Sequence, residues 1–200
     1  MVTLTLVDPS ALDNYAVRYA SWKGHVEVVK LLLADSRVDP GADYSFAIRV
    51  ASADGHVEVV KLLLADSRVD PGDWCNSAIR WASEEGHVEV VKLLLSDASL
   101  DPGADDNYAV RLASENGHIE VVKLLLSDSR VDPGAYDNYA IRIASKNGHI
   151  EVVKMLLADS RVDPSEDKNR AIRHAFEEGH LKIVQILAKD PRVVPITLNN

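Results

Sequence analysis

Residues 24–33 read Gly24-His25-Val26-Glu27-Val28-Val29-Lys30-Leu31-Leu32-Leu33, and the same ten-residue string returns at Gly55 and at Gly86. Close variants follow at Gly117, Gly148 and Gly179, so that each Gly-His stands 31 residues after the one before it. Working outward from this string gives six units without insertion: 11–41, 42–72, 73–103, 104–134, 135–165 and 166–196. A closed core puts each segment in a different environment and does not sustain so strict a period. A row of stacked layers does, because every layer meets only its neighbours. The pattern predicts an all-α solenoid of stacked helix-turn-helix repeats with short connecting turns.

Within the second unit, Ser45 reads as an N-cap for a helix beginning at Phe46, and asparagine fills the same column at Asn14, Asn76, Asn107, Asn138 and Asn169. Ala47, Ile48 and Ala51 give that helix a small apolar face, and Gly55 ends it. A second helix from about His56 to Asp66 carries Val59, Val60, Leu63 and Leu64 as a broad stripe, with Glu58 and Lys61 on the wet side. Asp70-Pro71-Gly72 then turns the chain. Both helices are shorter than the ~12–15 residues that stand alone in water, so stacking must hold them.

Composition narrows the function. The 200 residues are 46% hydrophobic and 26% charged, which describes an ordinary folded chain and excludes disorder or a disulfide scaffold. The net charge of −9 argues against binding to a phosphate backbone. No apolar run reaches the ~20 residues of a membrane helix, and Met1–Leu6 has no basic region of a signal peptide. Cys75 is the only cysteine. The expectation is a monomer in a reducing, intracellular and cytoplasmic setting, with no cofactor, no metal, no nucleic acid and no membrane.

The Gly24–Leu33 string resembles the junction between the two helices of the ankyrin repeat, and Val38-Asp39-Pro40 falls where that family usually has Val-Asn-Ala. The resemblance covers all six units. It implies a curved stack of helix pairs that serves protein–protein interaction without catalysis, docking partners on the concave face and turn edge. The unit is 31 residues where the family usually has 33, so a reduced finger is expected. Residues 1–10 read as the tail of a preceding repeat or an N-terminal cap, with Val2, Leu4 and Leu6 alternating. Residues 166–196 read as the C-terminal capping repeat, since Ala188, Lys189 and Arg170 replace a leucine, an alanine and a tyrosine. Residues 197–200 are a tail.

The family's Thr-Pro-Leu-His is replaced here by Tyr15-Ala16-Val17-Arg18 and its equivalents. Arginine fills the column at Arg18, Arg49, Arg80, Arg111, Arg142 and Arg173, and an aspartate stands ten residues before each. We expect a ladder in which Asp39 pairs with Arg49, Asp70 with Arg80, Asp101 with Arg111, Asp132 with Arg142 and Asp163 with Arg173. The alternative is two solvated columns copied together. Ser21, His25 and Asp35 imitate a catalytic set, but they recur in almost every unit, whereas an active site needs one constellation. Histidines one layer apart cannot share an ion, since helices pack ~8–10 Å apart and a zinc ligand lies ~2 Å from the metal. Hydrogen bonds to a neighbouring backbone or turn are expected instead.

The units differ mainly in the turn and the first helix. All eleven aromatics lie in that half, and its most variable columns hold fourteen acids against four bases. Trp22, Tyr19, Tyr44, Trp74, Trp81, Glu84, Glu85, Asp105, Asp106, Leu112, Glu115, Tyr136 and Ile143 are therefore the candidate partner-binding residues. Tyr15, Phe46, Tyr108 and Tyr139 read first as packing between layers. Trp22, Trp74, Trp81, Tyr44 and Tyr136 read equally as packing or as anchors. An acidic face suits a protein partner with a basic patch. The competing expectation is a consensus-like or recently duplicated scaffold with no evolved partner.

Overall fold

The computed structural model describes residues 8–193. The expected cap over Val2, Leu4 and Leu6, the end of the sixth unit from position 194 and the tail at 197–200 lie outside the described residues. Twelve helices follow in order: α1 (Ala11–Trp22), α2 (Val26–Leu33), α3 (Ala42–Ala53), α4 (Val57–Leu64), α5 (Asp73–Glu84), α6 (Val88–Leu95), α7 (Ala104–Glu115), α8 (Ile119–Ser127), α9 (Ala135–Lys146), α10 (Ile150–Ala158), α11 (Glu166–Glu177) and α12 (Leu181–Leu187). Odd and even helices form antiparallel pairs laid side by side. No strand forms among the described residues. The connecting turn is a compact Asp-Pro-Gly bend, with Ser165 in place of the glycine before α11.

The apolar periodicity explains the packing. Ala47, Ile48 and Ala51 of α3 meet Val59, Val60 and Leu63 of α4, all with no accessible surface, and Val69 closes the layer beneath them. The alanines let neighbouring first helices approach closely, while second helices touch more sparsely. The first helices thus form the more closely packed side of the row, its inner face, and the turns that open them stay largely exposed. Gly55 takes φ +73°. The amides of Gly55 and His56 bond back to the Ser52 and Ala51 carbonyls, a Schellman ending that releases the chain into α4.

The start of each first helix differs from expectation. Asp43, Tyr44 and Ser45 are left-handed, with φ of 56°, 54° and 53°, and the right-handed helix begins only afterwards. The same three-residue left-handed turn opens α1, α5, α7, α9 and α11. Non-glycine residues pay about 1–2 kcal/mol each for this conformation, less for asparagine and aspartate. The Asn14 column is thus no N-cap. Its side chains reach the next turn instead: Asn14 Oδ1 accepts the Asp39 amide at 2.7 Å and Asn107 Oδ1 that of Asp132 at 2.6 Å. Asparagine is favoured both at N-caps and in left-handed turns, so residue type alone does not separate the two.

Candidate functional site

The inner face is shaped by the arginine column, and the expected aspartate–arginine ladder is not what shapes it. Oδ1 atoms of Asp39, Asp70, Asp101 and Asp132 accept the amides of Gly41, Gly72, Gly103 and Gly134 at 2.8–2.9 Å, and Asp163 accepts that of Ser165. Among the described residues no ion pair joins these aspartates to Arg49, Arg80, Arg111, Arg142 or Arg173. A carboxylate beside Pro-Gly folds onto its own turn, and that local bond outcompetes a reach to the next helix.

Each arginine from Arg18 to Arg142 instead spans two layers. Arg49 donates to the Asp43 carbonyl of its own left-handed turn at 2.9 Å, as Arg111, Arg142 and Arg173 do to Asp105, Tyr136 and Asp167. It also meets the residue 25 positions later, and the partner alternates. Arg18 pairs with Asp43 at 2.7 Å, Arg80 with Asp105 at 3.5 Å and Arg142 with Asp167 at 3.6 Å. Arg49 stacks on Trp74, 4.4 Å to the ring centre, and Arg111 on Tyr136 at 4.7 Å. Burial pulls the Arg49 pKa below its ordinary value, with Asp43 and Asp73 opposing that shift.

Two further ties fix the layers. His56, His87, His118, His149 and His180 place Nε2 2.8–2.9 Å from the carbonyls of Trp22, Ala53, Glu84, Glu115 and Lys146 in the preceding pair. This agrees with the expected backbone bonds. Arg68, paired with Asp66, donates to the Val38 and Leu33 carbonyls of the preceding pair at 2.8 and 3.0 Å. Arg130, Arg161 and Arg192 repeat the clamp. The sequence reading missed these clamps, although arginine fills their column, Arg37 to Arg192, in every unit but the third, where Ser99 stands.

The candidate binding residues fall in different settings on this frame. At the first two layers, Tyr19 and Trp22 lie open, Trp22 at 42% exposure. With Tyr15, Arg18, Phe46 and Val50 they line a groove of about 430 Å³. Tyr15 stacks on Tyr19 at 5.6 Å, Tyr19 meets Trp22 edge-on at 5.8 Å, and Lys23 Nζ sits 3.4 Å from the Trp22 ring centre. Tyr15 and Phe46 belong to this surface, beyond their expected packing role.

Along the turn edge, Tyr44 and Trp74 form an exposed edge-to-face pair at 5.9 Å. Tyr136 meets Tyr139 at 5.9 Å, and Asp105 and Asp106 are open to solvent. Trp81 is half-buried, with the Arg49 guanidinium 5.6 Å from its ring centre. Between the two ends, Glu84 and Glu85 are exposed and Glu115 half-buried. Leu112 is corrected: it is buried at 8% exposure, wedged in its own layer, and offers no surface to a partner. Ile143 lines a small pocket at the last junction with Arg142, Lys146, Arg170 and His174.

Ser21 is fully buried, so the imitation catalytic set has no accessible hydroxyl. Among the described residues no three His, Cys, Asp or Glu side chains converge as metal ligands, and no helix is long and apolar enough to cross a membrane. A search of curated proteins found no match. The family model for ankyrin repeats, described as three copies, matches residues 14–107 and 110–196. Members of that family are in general non-enzymatic scaffolds for protein interaction. With stacked helix pairs and a family match over most of its length, the chain belongs to the ankyrin-repeat family.

Proposed function

We propose that this chain binds a protein partner through its inner face and turn edge, without catalysis. The observation that carries the reading is the open aromatic groove of Tyr15, Tyr19, Trp22 and Phe46, continued by Tyr44 and Trp74 at the edge. Large aromatics held by ring contacts lose little freedom on binding, which suits them as anchors. The middle layers add Asp54, Glu84, Glu85 and Glu115, so a basic patch on the partner fits there.

The test is affinity capture with the wild-type chain against a Trp22→Ala/Trp74→Ala double variant of matched thermal stability. A partner held by the wild type should be lost or weakened at least about tenfold with the variant, and also by added salt. Capture that ignores both changes overturns the assignment of the face. The identical Val-Glu-Val-Val-Lys-Leu-Leu-Leu of α2, α4 and α6 favours a second reading, a recently duplicated scaffold with no evolved partner. That reading gains if no protein distinguishes the two baits.

A further inference from the structure

The last junction of the row breaks the rule of the others. In the first five layers the residue that begins the right-handed helix is Tyr, Phe or Ser, and the one four later is Tyr, Val, Trp, Leu or Ile. In the sixth these become Arg170 and His174. Between α9 and α11 they close a pocket of about 160 Å³ with Tyr139, Arg142, Ile143 and Lys146.

Its electrostatics are one-sided. Arg142, Lys146 and Arg170 bring three permanent cations to one small concavity. The acid touching them is Asp167, 2.7 Å from Arg170 and 3.6 Å from Arg142. The charge of Glu177 also acts on His174. The Arg142 side chain is only 10% exposed. Arg170 Nε lies 3.2 Å from His174 Nε2, which accepts its hydrogen bond. Polar capping of a terminal layer accounts for hydrophilic residues there, but not for cations of one sign gathered around a cavity.

We infer that this pocket is an oxyanion site, which receives the carboxylate or phosphate of an acidic side chain on the protein partner. This rests on the reading of the inner face as a docking surface and adds to it a second anchor of opposite chemistry. The volume admits one such group. Arg170 supplies planar N–H donors, Arg142 and Lys146 add positive charge, and the Tyr139 and Ile143 walls limit competition from water. Burial and the neighbouring Arg170 hold the His174 pKa below its ordinary value, with Lys146 adding to this and Glu177 opposing it. A bound anion offsets that positive field, so His174 should titrate at higher pH in the complex.

The experiment is an NMR titration of the full chain with inorganic phosphate and, separately, with N-acetylglutamate. The expected result is saturable millimolar binding, with shifts centred on Lys146, Arg170 and His174 and an upward move of the His174 titration. Binding should weaken at least about tenfold in Arg170→Gln/Lys146→Gln, with an unchanged melting temperature. Tighter phosphate points to a phosphorylated side chain, and equal or tighter N-acetylglutamate to Asp or Glu. Shifts that do not saturate, or that persist in the double variant, overturn the site. Because the probes are free anions, this result is independent of partner capture. Anion binding without any partner would count against the docking reading alone. A captured partner whose affinity ignores the double variant would count against the anion site alone.

Discussion

Gly55 and Gly179 take nearly the same left-handed conformation, φ +73° and +77°, yet only one has a neighbour behind it. A Cβ built on Gly55 would lie 2.7 Å from the His87 ring, the imidazole whose Nε2 meets the Ala53 carbonyl at 2.9 Å. A Cβ on Gly179 meets nothing within 4 Å among the described residues. Alanine at either site carries the left-handed penalty of about 1–2 kcal/mol. At Gly55 it must also push the histidine from its bond, costing about 1 kcal/mol more. Gly55→Ala should therefore destabilise the chain more than Gly179→Ala by at least that difference, read from urea unfolding. Equal losses would show that the histidine column does not tie the layers. The same scale explains why Asp39 and Arg49 were mispaired. In a perfect repeat every pair of columns recurs at constant spacing, so a partner ten residues before cannot be told from one 25 residues after. The structure decides through geometry: Asp39 is spent on its own turn, and Trp74 lies under the guanidinium.

At the scale of helices and turns, the clamp formed by Arg68, Arg130, Arg161 and Arg192 is absent from one junction. The third pair has Ser99 in that column, whose hydroxyl bonds to Asp97 at 2.7 Å and is too short to reach the Leu64 and Val69 carbonyls. The junction between the second and third pairs therefore depends on core packing, His87, the Ser45–Asp73 hydrogen bond and the contacts of Trp74 with Arg49 and Tyr44. Ser99→Arg should add bonds like those of Arg68 and raise unfolding stability by about 1 kcal/mol, measured by urea denaturation. No gain would mean that the clamps only decorate an interface held by its apolar core. The helices themselves were legible because a strict period, glycine stops and apolar stripes all point the same way. The left-handed turn was not, since its Asn and Ser also satisfy the preferences of an N-cap. Leu112 was misassigned for a related reason. Variation between units marks a column free to change, and in a stack that column can lie on the inner face or be buried by its neighbours.

For the whole molecule, the clamps make stability depend on acid. Hydrogen bonds from Arg68, Arg130, Arg161 and Arg192 hold the carboxyls of Asp66, Asp128, Asp159 and Asp190 below the usual range, against the opposing effect of partial burial. Arg37 lowers half-buried Asp35 in the same way, to about 2. A carboxyl whose folded pKa is depressed contributes stability that is fully present above its unfolded pKa, about 4. That contribution is lost as pH falls through the folded value. Stability from these groups should thus stay level from neutral pH down to about 5 and decline between about 4 and 2. Each clamp joins one pair to the pair before it, so protonation loosens several junctions together rather than one end of the row. Urea midpoints at pH 7 and near pH 2.5 measure this loss directly. Arg130→Gln/Arg161→Gln removes two of the hydrogen-bonding partners. It should lower stability at pH 7 and also shrink the difference between the two pH values, since Asp128 and Asp159 then titrate nearer their ordinary range. A variant with the full acid-dependent loss would assign the effect to other carboxylates and leave these clamps with no part in holding the row together.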